Sequence, residues 1–249
     1  KQLVTLSRDC HVIDDLDNFI LPAENPILKI SDILIKYDMS KILDRVNKNG
    51  MSFKTQIPKE VQKQENMEFI LLDNENSLSL VINTIPRDAI VSFDTETTDI
   101  DVRNAKIVGF SFAYEENKAY YVPIAHSYLG VAAQISNEAA RQAIIQLNRH
   151  KLVLQNFKYD YEIIKNNFEI ELKLYADTMI LSWLLDTNEK VGLDYQINKY
   201  FNHKMIAFKD VVKKGEDFSN VDILNACDYA AEDALMTLKL FNKQLELFK

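Results

Sequence analysis

Two carboxylates spaced two residues apart, Asp94 and Glu96, are the first sign of chemistry in this chain. In Phe93-Asp94-Thr95-Glu96-Thr97 a run of strand-forming residues ends by delivering both acids. In extended backbone the side chains at i and i+2 share a face. Like charges so placed repel unless a cation lies between them, and a divalent metal with oxygen ligands is the natural guest. The plainer alternative is a strand-end Asp that caps the next turn, with Glu96 solvated. A second acid, Asp160, closes Asn156-Phe157-Lys158-Tyr159-Asp160. There the alternative is ordinary helix-start chemistry, with Asn156 as N-cap and Asp160 favoured by the helix dipole. In Asp228-Tyr229-Ala230-Ala231-Glu232-Asp233-Ala234, Tyr229 and Asp233 stand at i and i+4, one above the other on a helix face. The alanines between them are small enough to let another backbone approach. The alternative is a half-buried tyrosine and a surface aspartate.

The pattern around these residues predicts the elements that must hold them. Glu68–Leu72 reads as a short strand, and Asp73 as the cap of a helix through Leu78, Leu80, Val81 and Ile85. Three strands follow, Ala89–Phe93, Lys106–Tyr114 and Ala119–Ile124, rich in β-branched and aromatic residues and separated by polar turns, as in a meander. Asp94 then sits just past the C-terminal end of a strand, where sites form in α/β sheets. Ser136 caps a helix through Ala140, Ala143, Ile144 and Leu147, Lys151–Gln155 is a further strand, and helices dominate after it. The order implies an α/β fold: a mixed sheet with helices on its faces. Upstream, residues 1–49 read as a strand-like start and then a short helical segment around Ser31–Tyr37 and Met39–Leu43. Residues 50–66, with Gly50, Pro58 and many Lys, Gln and Glu, read as a linker.

Bulk properties narrow the function classes. Hydrophobic residues make up 47 % of 249, enough for a sizeable core. The 2 cysteines, Cys10 and Cys227, lack the spacing of a zinc site or a disulfide framework, and His11, His126, His150 and His203 show no paired metal spacing. His126 reads as a structural hydrogen-bonding residue in a turn. No apolar run approaches the ~20 residues of a membrane span, so a cytoplasmic protein with no membrane partner is expected. The net charge of −8 disfavours an extended duplex grip, which needs many Lys and Arg against phosphates. It is compatible with an enzyme that holds a few nucleotides through metal ions, because a bound cation turns an acidic cluster into a phosphate receptor.

Taken together, and in this order along the chain, the three motifs resemble the DEDDy exonucleases of the ribonuclease H-like superfamily. The longer strings Ile107-Val108-Gly109-Phe110-Ser111-Phe112, Tyr121-Val122-Pro123-Ile124-Ala125-His126 and Gln155-Asn156-Phe157-Lys158-Tyr159-Asp160 are similar to the proofreading 3′→5′ exonuclease domain of bacterial family A DNA polymerases. The likeness covers about 67–249. It implies a ribonuclease H-like sheet and two divalent ions, Mg²⁺ or Mn²⁺. Asp94, Glu96 and Asp233 would hold the ion that activates water, Asp94 would bridge to a second ion supported by Asp160, and Tyr229 would orient the attacking water. Thr95, Ile100, Gln155, Asn156, Lys158, Tyr159 and Tyr229 would contact substrate, the 3′ end of single-stranded DNA. Ile100 stands where the family carries an apolar wedge; a buried turn residue is the other reading. His203, Lys204, Lys209, Lys213 and Lys214 are candidates to track phosphates, with a solvated charge run as the alternative for the last two. Asp177 either joins the acids or caps the helix through Met179, Ile180, Leu181 and Trp183. Residues 1–49 are similar to the tail of a preceding 5′-nuclease domain. A monomeric fragment of a longer chain, with a polymerase domain beyond it, is therefore expected. The competing readings are a ribonuclease D-like RNA exonuclease and a catalytically silent scaffold.

Overall fold

In the computed structural model the described residues are 26–37, 39, 42 and 67–249. The expected strand-like start and the 50–66 linker lie outside them. The chain divides into two units, Lys1–Val61 and Gln62–Lys249. In the first, a 3₁₀ turn Pro26–Ile30 leads into helix α1, Ser31–Lys36, at the expected place.

The second unit is built on a six-stranded mixed sheet of order β1-β4-β3-β2-β5-β6. The strands are β1 (Glu68–Leu71), β2 (Ile90–Thr97), β3 (Ile107–Glu115), β4 (Lys118–Pro123), β5 (Lys151–Leu154) and β6 (Leu174–Asp177). The meander β2-β3-β4 is antiparallel, joined by the connection 98–106 and by the two-residue turn Glu116-Asn117; β1, β5 and β6 add in parallel. Strand β6 is absent from the sequence reading. It is a four-residue edge strand with two exposed residues, and its apolar residues merge with the helix that follows.

Alternation along the strands sorts residues to two layers. Val91 and Phe93 of β2, Phe110 and Phe112 of β3, Tyr120 and Val122 of β4 and Leu152 and Leu154 of β5 point to one face. They pack there against helices α2 (Glu75–Thr84), α3 (Asn137–Leu147) and α4 (Phe157–Phe168). Each such side chain contributes roughly 1.5–3 kcal/mol when fully buried. The other face is covered by the last and longest helix, α8 (Ile223–Leu247), whose Ala231, Ala234, Leu235 and Leu238 pack on Ala113 and Ala119. With alanines on both sides the backbones come close: Ser92 Oγ donates to the Ala234 carbonyl at 2.6 Å. Between α4 and α8 in the chain come α5 (Thr178–Leu185), α6 (Leu193–Phe201) and the short α7 (Phe208–Val211).

The caps differ in detail from the reading. Ser136 caps α3 as expected, accepting from Ala139 N–H. Helix α2 is capped by Asn74, which accepts from Ser77 N–H, and not by Asp73. Strand β2 continues through Thr97, paired with β3, so Asp94 lies inside the strand and not beyond its end. No described helix is long and apolar enough to cross a membrane.

Candidate metal and nucleic-acid site

The longer β2 is what places the two carboxylates. Ser92, Asp94 and Glu96 alternate onto the α8 face, and Asp233 descends from α8 to meet them. Ligand oxygens of Asp94, Glu96 and Asp233 lie within 4.8 Å of one another. Glu96 is buried, and its Oε1 has no hydrogen-bond partner. An ionised buried acceptor without a partner is costly, and a cation between the three groups removes that cost. The donor set is all oxygen, which fits Mg²⁺ or Mn²⁺ better than zinc.

Beneath them, Gly109 of β3 sits opposite Glu96. The absence of a side chain there makes room for the ring of Tyr121. Tyr121 donates its hydroxyl to His126 Nε2 at 2.7 Å, and His126 Nδ1–H donates to the Val221 carbonyl at 2.9 Å. Burial holds the His126 imidazole down at about 4, so it is a neutral structural residue, as its place in a turn suggested.

Asp160 arrives from the other layer. Strand β5 leaves the sheet after Leu154, so the edge of β2 beyond Ser92 is open. Asp160 fills that gap: its Oδ1 accepts from Thr95 N–H at 3.1 Å and from Thr95 Oγ1 at 2.7 Å. Thr95 is thus tied up in holding Asp160. The neighbourhood of four acids shows in their protonation. Burial raises Asp94 from 3.8 to about 7. Burial first, and then repulsion from Asp94, Asp233 and Asp160, pushes Glu96 well above the carboxylate range. Asp160 and Asp233 are raised by burial and by Asp94 in the same way. The Tyr229 phenol is raised by burial and then by the nearby acids, so it stays protonated at neutral pH, hydrogen-bonded to Asp233.

These residues floor an open cleft of about 580 Å³. Asp94, Glu96, Asp160, Tyr229 and Asp233 all line it, with Thr95, Ile100, Gln155, Asn156 and Tyr159. Ile100 is 91 % exposed, so the buried-turn reading is wrong: an isoleucine stands uncovered at the lip. Asn156 does not cap α4. It adopts the left-handed conformation (φ 69°, ψ 51°) and makes no capping bond, and such backbone is tolerated best, after glycine, by Asn and Asp. The cap is Asp177, whose carboxylate accepts from the N–H groups of Asn156, Phe157 and Met179 and so caps α4 and α5 together. This leaves Asp177 out of the acidic cluster and the Asn156 side chain to the cleft.

Other candidates fare differently. The Gln155 amide donates to the Val191 carbonyl at 3.0 Å and accepts from Thr178 Oγ1 at 2.5 Å, a structural role. Tyr159 donates its hydroxyl to the Asp99 carbonyl at 2.7 Å and touches the Thr97 hydroxyl, pinning the loop that carries Ile100. Lys158 is exposed and outside the lining, as are Lys204, Lys209, Lys213 and Lys214. His203 is bound to Glu232 at 2.7 Å. Among the described residues, the lining carries seven carboxylates (Asp94, Glu96, Asp99, Asp160, Glu216, Asp217 and Asp233) and no Lys, Arg or His. Sequence reasoning missed the aromatic wall made by Phe208 and Phe218 against Tyr229, with ring centroids 6.2 and 5.8 Å from the tyrosine. The signal was two phenylalanines bounding a largely charged, Gly-containing stretch, 208–218.

Comparison with known proteins agrees with this geometry. Residues 69–247 match the model of a family described as 3′-5′ exonuclease. The chain is 35 % identical over 184 residues to DNA polymerase I of Borreliella burgdorferi, a match covering 72 % of this chain and 20 % of that protein. It is 32 % identical over 252 residues to DNA polymerase I of Pseudomonas aeruginosa, covering 96 % of this chain and 27 % of that protein. The chain thus spans about a fifth to a quarter of the length of these curated relatives. Among solved structures, Escherichia coli RNase D, an exoribonuclease involved in structured RNA processing, is similar at a TM-score of 0.53 and 15 % identity, covering 73 % of this chain and 45 % of that one. Brucella melitensis NrnC with bound Mg²⁺ is similar at a TM-score of 0.50 and 14 % identity, covering 74 % of this chain and 82 % of that one. At such identities the likeness shows the shared fold, a ribonuclease H-like one.

Proposed function

The chain belongs to the 3′-5′ exonuclease family, and from that premise we propose that it hydrolyses the terminal phosphodiester at the 3′ end of single-stranded or frayed DNA, as the proofreading part of a longer DNA polymerase. The observation that carries the reading is the convergence of Asp94, Glu96 and Asp233 within 4.8 Å, with one buried glutamate oxygen left without a partner. The presence of all four acids and of Tyr229 favours an enzyme over a silent scaffold.

Asp94, Glu96 and Asp233 would hold one divalent ion, and Asp94 with Asp160 a second. Ions held there supply a water made nucleophilic and a stabilised leaving 3′-oxygen. The protein's own groups do the rest. Thr95 fixes Asp160 in the gap beside β2. Tyr229, a neutral phenol, has one hydrogen bond to Asp233 and orients the attacking water without accepting its proton. Ile100 at the lip and Phe208 in the aromatic wall offer apolar contact to the terminal bases, which stack on such surfaces without regard to sequence. The Asn156 side chain faces the sugar-phosphate of the last nucleotides.

The test is degradation of a 3′-labelled single-stranded DNA oligonucleotide in Mg²⁺, with an EDTA control, beside an RNA of the same sequence and a circular single strand. Release of mononucleotides from linear DNA, slower release from duplex ends and an intact circle are expected. Cuts in the circle would exclude an exonuclease, and preference for the RNA would favour ribonuclease D-like trimming.

A further inference from the structure

Glu232 follows Tyr229 by three residues and precedes Asp233 on α8, yet it neither lines the cleft nor joins the carboxylate trio. It is 4 % exposed, and both of its oxygens are engaged. Oε1 accepts from His203 Nε2 at 2.7 Å, and Oε2 accepts from the Ile206 N–H at 2.6 Å. Both donors belong to 202–207, the connection between α6 and α7. Its other anchor is Met205, buried with Ile197, Met236 and Leu240. The connection leads directly into Phe208, whose ring packs against those of both Phe218 and Tyr229, at 6.5 and 6.2 Å. Helix α7 has four residues and no side-chain cap. So short a helix has little stability of its own, and what fixes its start fixes Phe208.

We propose that Glu232, together with His203, is a positioning residue: it ties the 202–207 connection to the helix that carries Tyr229 and Asp233, and so holds the aromatic wall in register with the reacting end of the strand. This rests on the exonuclease reading above. A carboxylate suits the task because it accepts at both oxygens, and charge-assisted bonds of this kind are the stronger ones. The two groups it binds arrive from one short connection, so a single side chain sets that connection's height above α8. A different role is available to the same residue, as a charge beside Asp233 that acts on the metal-holding acids. The two roles part at glutamine, which keeps the shape and one acceptor and loses the charge. Its oxygen accepts from Ile206, and its NH₂ donates to His203 in the other ring tautomer.

The experiment compares wild type, Glu232→Ala, Glu232→Gln and His203→Ala by steady-state degradation of the single-stranded oligonucleotide in Mg²⁺ and by amide hydrogen exchange at Ile206. Glu232→Ala is expected to raise KM roughly tenfold, the effect of losing hydrogen bonds to a charged group, with kcat changed far less. It is also expected to speed exchange at Ile206, while the main core, which Glu232 does not touch, keeps the protein folded. Glu232→Gln is expected to return both readings close to wild type, and His203→Ala to fall between. If glutamine behaves like alanine, or if kcat falls while KM holds, Glu232 acts through its charge and the positioning role is overturned. Exchange at Ile206 is read without turnover. Equal exchange in all four proteins overturns the tether even if they are active, whereas a wild type inert on DNA, with the expected exchange pattern, overturns only the exonuclease reading.

Discussion

At the scale of residues, the site is a set of acids that fold together against their own repulsion. That arrangement makes separable predictions for activity and stability. Asp94→Ala and Asp233→Ala each remove an oxygen from the trio and are expected to abolish cleavage in the oligonucleotide assay. Tyr229→Phe removes a group that only positions water, and is expected to leave activity on the order of a hundredfold lower. Near wild-type turnover by Asp233→Ala would refute the ligand assignment. Stability should move the other way. Asp94 is raised from 3.8 to about 7, so the folded protein binds this proton more tightly than the unfolded chain. Ionisation then destabilises the metal-free protein as pH rises from near 3.8 to about 7, with no further change from this group above. An ion-paired Asp has the opposite sign. In EDTA the melting temperature is expected to fall across that window, and Asp94→Asn to flatten the fall and gain ~1 kcal/mol at pH 8. Millimolar Mn²⁺ should stabilise wild type by about 3 kcal/mol at a hundredfold excess over Kd, and Asp94→Asn much less. A melting temperature that rises over the window and ignores Mn²⁺ would identify a structural role for Asp94.

At the scale of elements, the site depends on how closely β3 and β4 pack beneath β2. Gly109 lies opposite Glu96, and a Cβ there would run into the Tyr121 ring itself. That ring cannot swing aside, because it is fully buried and its hydroxyl is bonded to His126. Gly109→Ala is therefore expected to destabilise by ~1–3 kcal/mol, the cost of overpacking a filled core. Urea unfolding measures it; a loss below about 0.5 kcal/mol would mean that the sheet yields more easily than this packing implies. Helix α5 shows how far an element can depart from its sequence pattern. Thr178 and Ser182 face inward, where Gln244 Nε2 donates to the Thr178 carbonyl and to Ser182 Oγ, while Ile180, Trp183 and Leu184 stand about half exposed. The run's apolar character predicted a helix, but its buried side is the polar one.

For the whole molecule, the balance of charge decides how a strand can be held. The net charge is −8, and among the described residues the cleft lining has seven carboxylates without a Lys, Arg or His. Affinity gained by releasing counterions from phosphates needs such cations. DNA binding by this chain is therefore expected to depend little on monovalent salt and steeply on the divalent ion. In a plot of log(1/KM) against log[KCl] at fixed Mg²⁺, the slope should be below about 2 in magnitude, against roughly 4–7 for a single-strand binder neutralising six to ten phosphates. A steep slope would point to a phosphate track outside the cleft, and to the exposed lysines that the sequence nominated.

What the sequence determined by itself was whatever is local or strictly periodic. Alternation in the meander set the faces of β2, β3 and β4. The i, i+2 spacing put Asp94 and Glu96 on one side of a strand, and the i, i+4 spacing put Tyr229 and Asp233 on one side of a helix. The motif strings around them carried the family. Tertiary structure decided what depends on groups distant in the chain. Asp160 and Thr95, 65 residues apart, meet because β5 stops short of the open edge of β2. Asp177 displaces Asn156 as the cap of α4 because β6, too short to read, brings its carboxylate between two helix starts. Phe208 and Phe218 become a cleft wall only when their loop is laid against Tyr229. His203 reads as a phosphate contact until Glu232 claims it. Hydrophobic period and backbone propensity act over a few residues and can be read along the chain. A hydrogen-bonding side chain satisfies whichever partner the completed fold brings within 3 Å or so, and no local pattern records which one that will be.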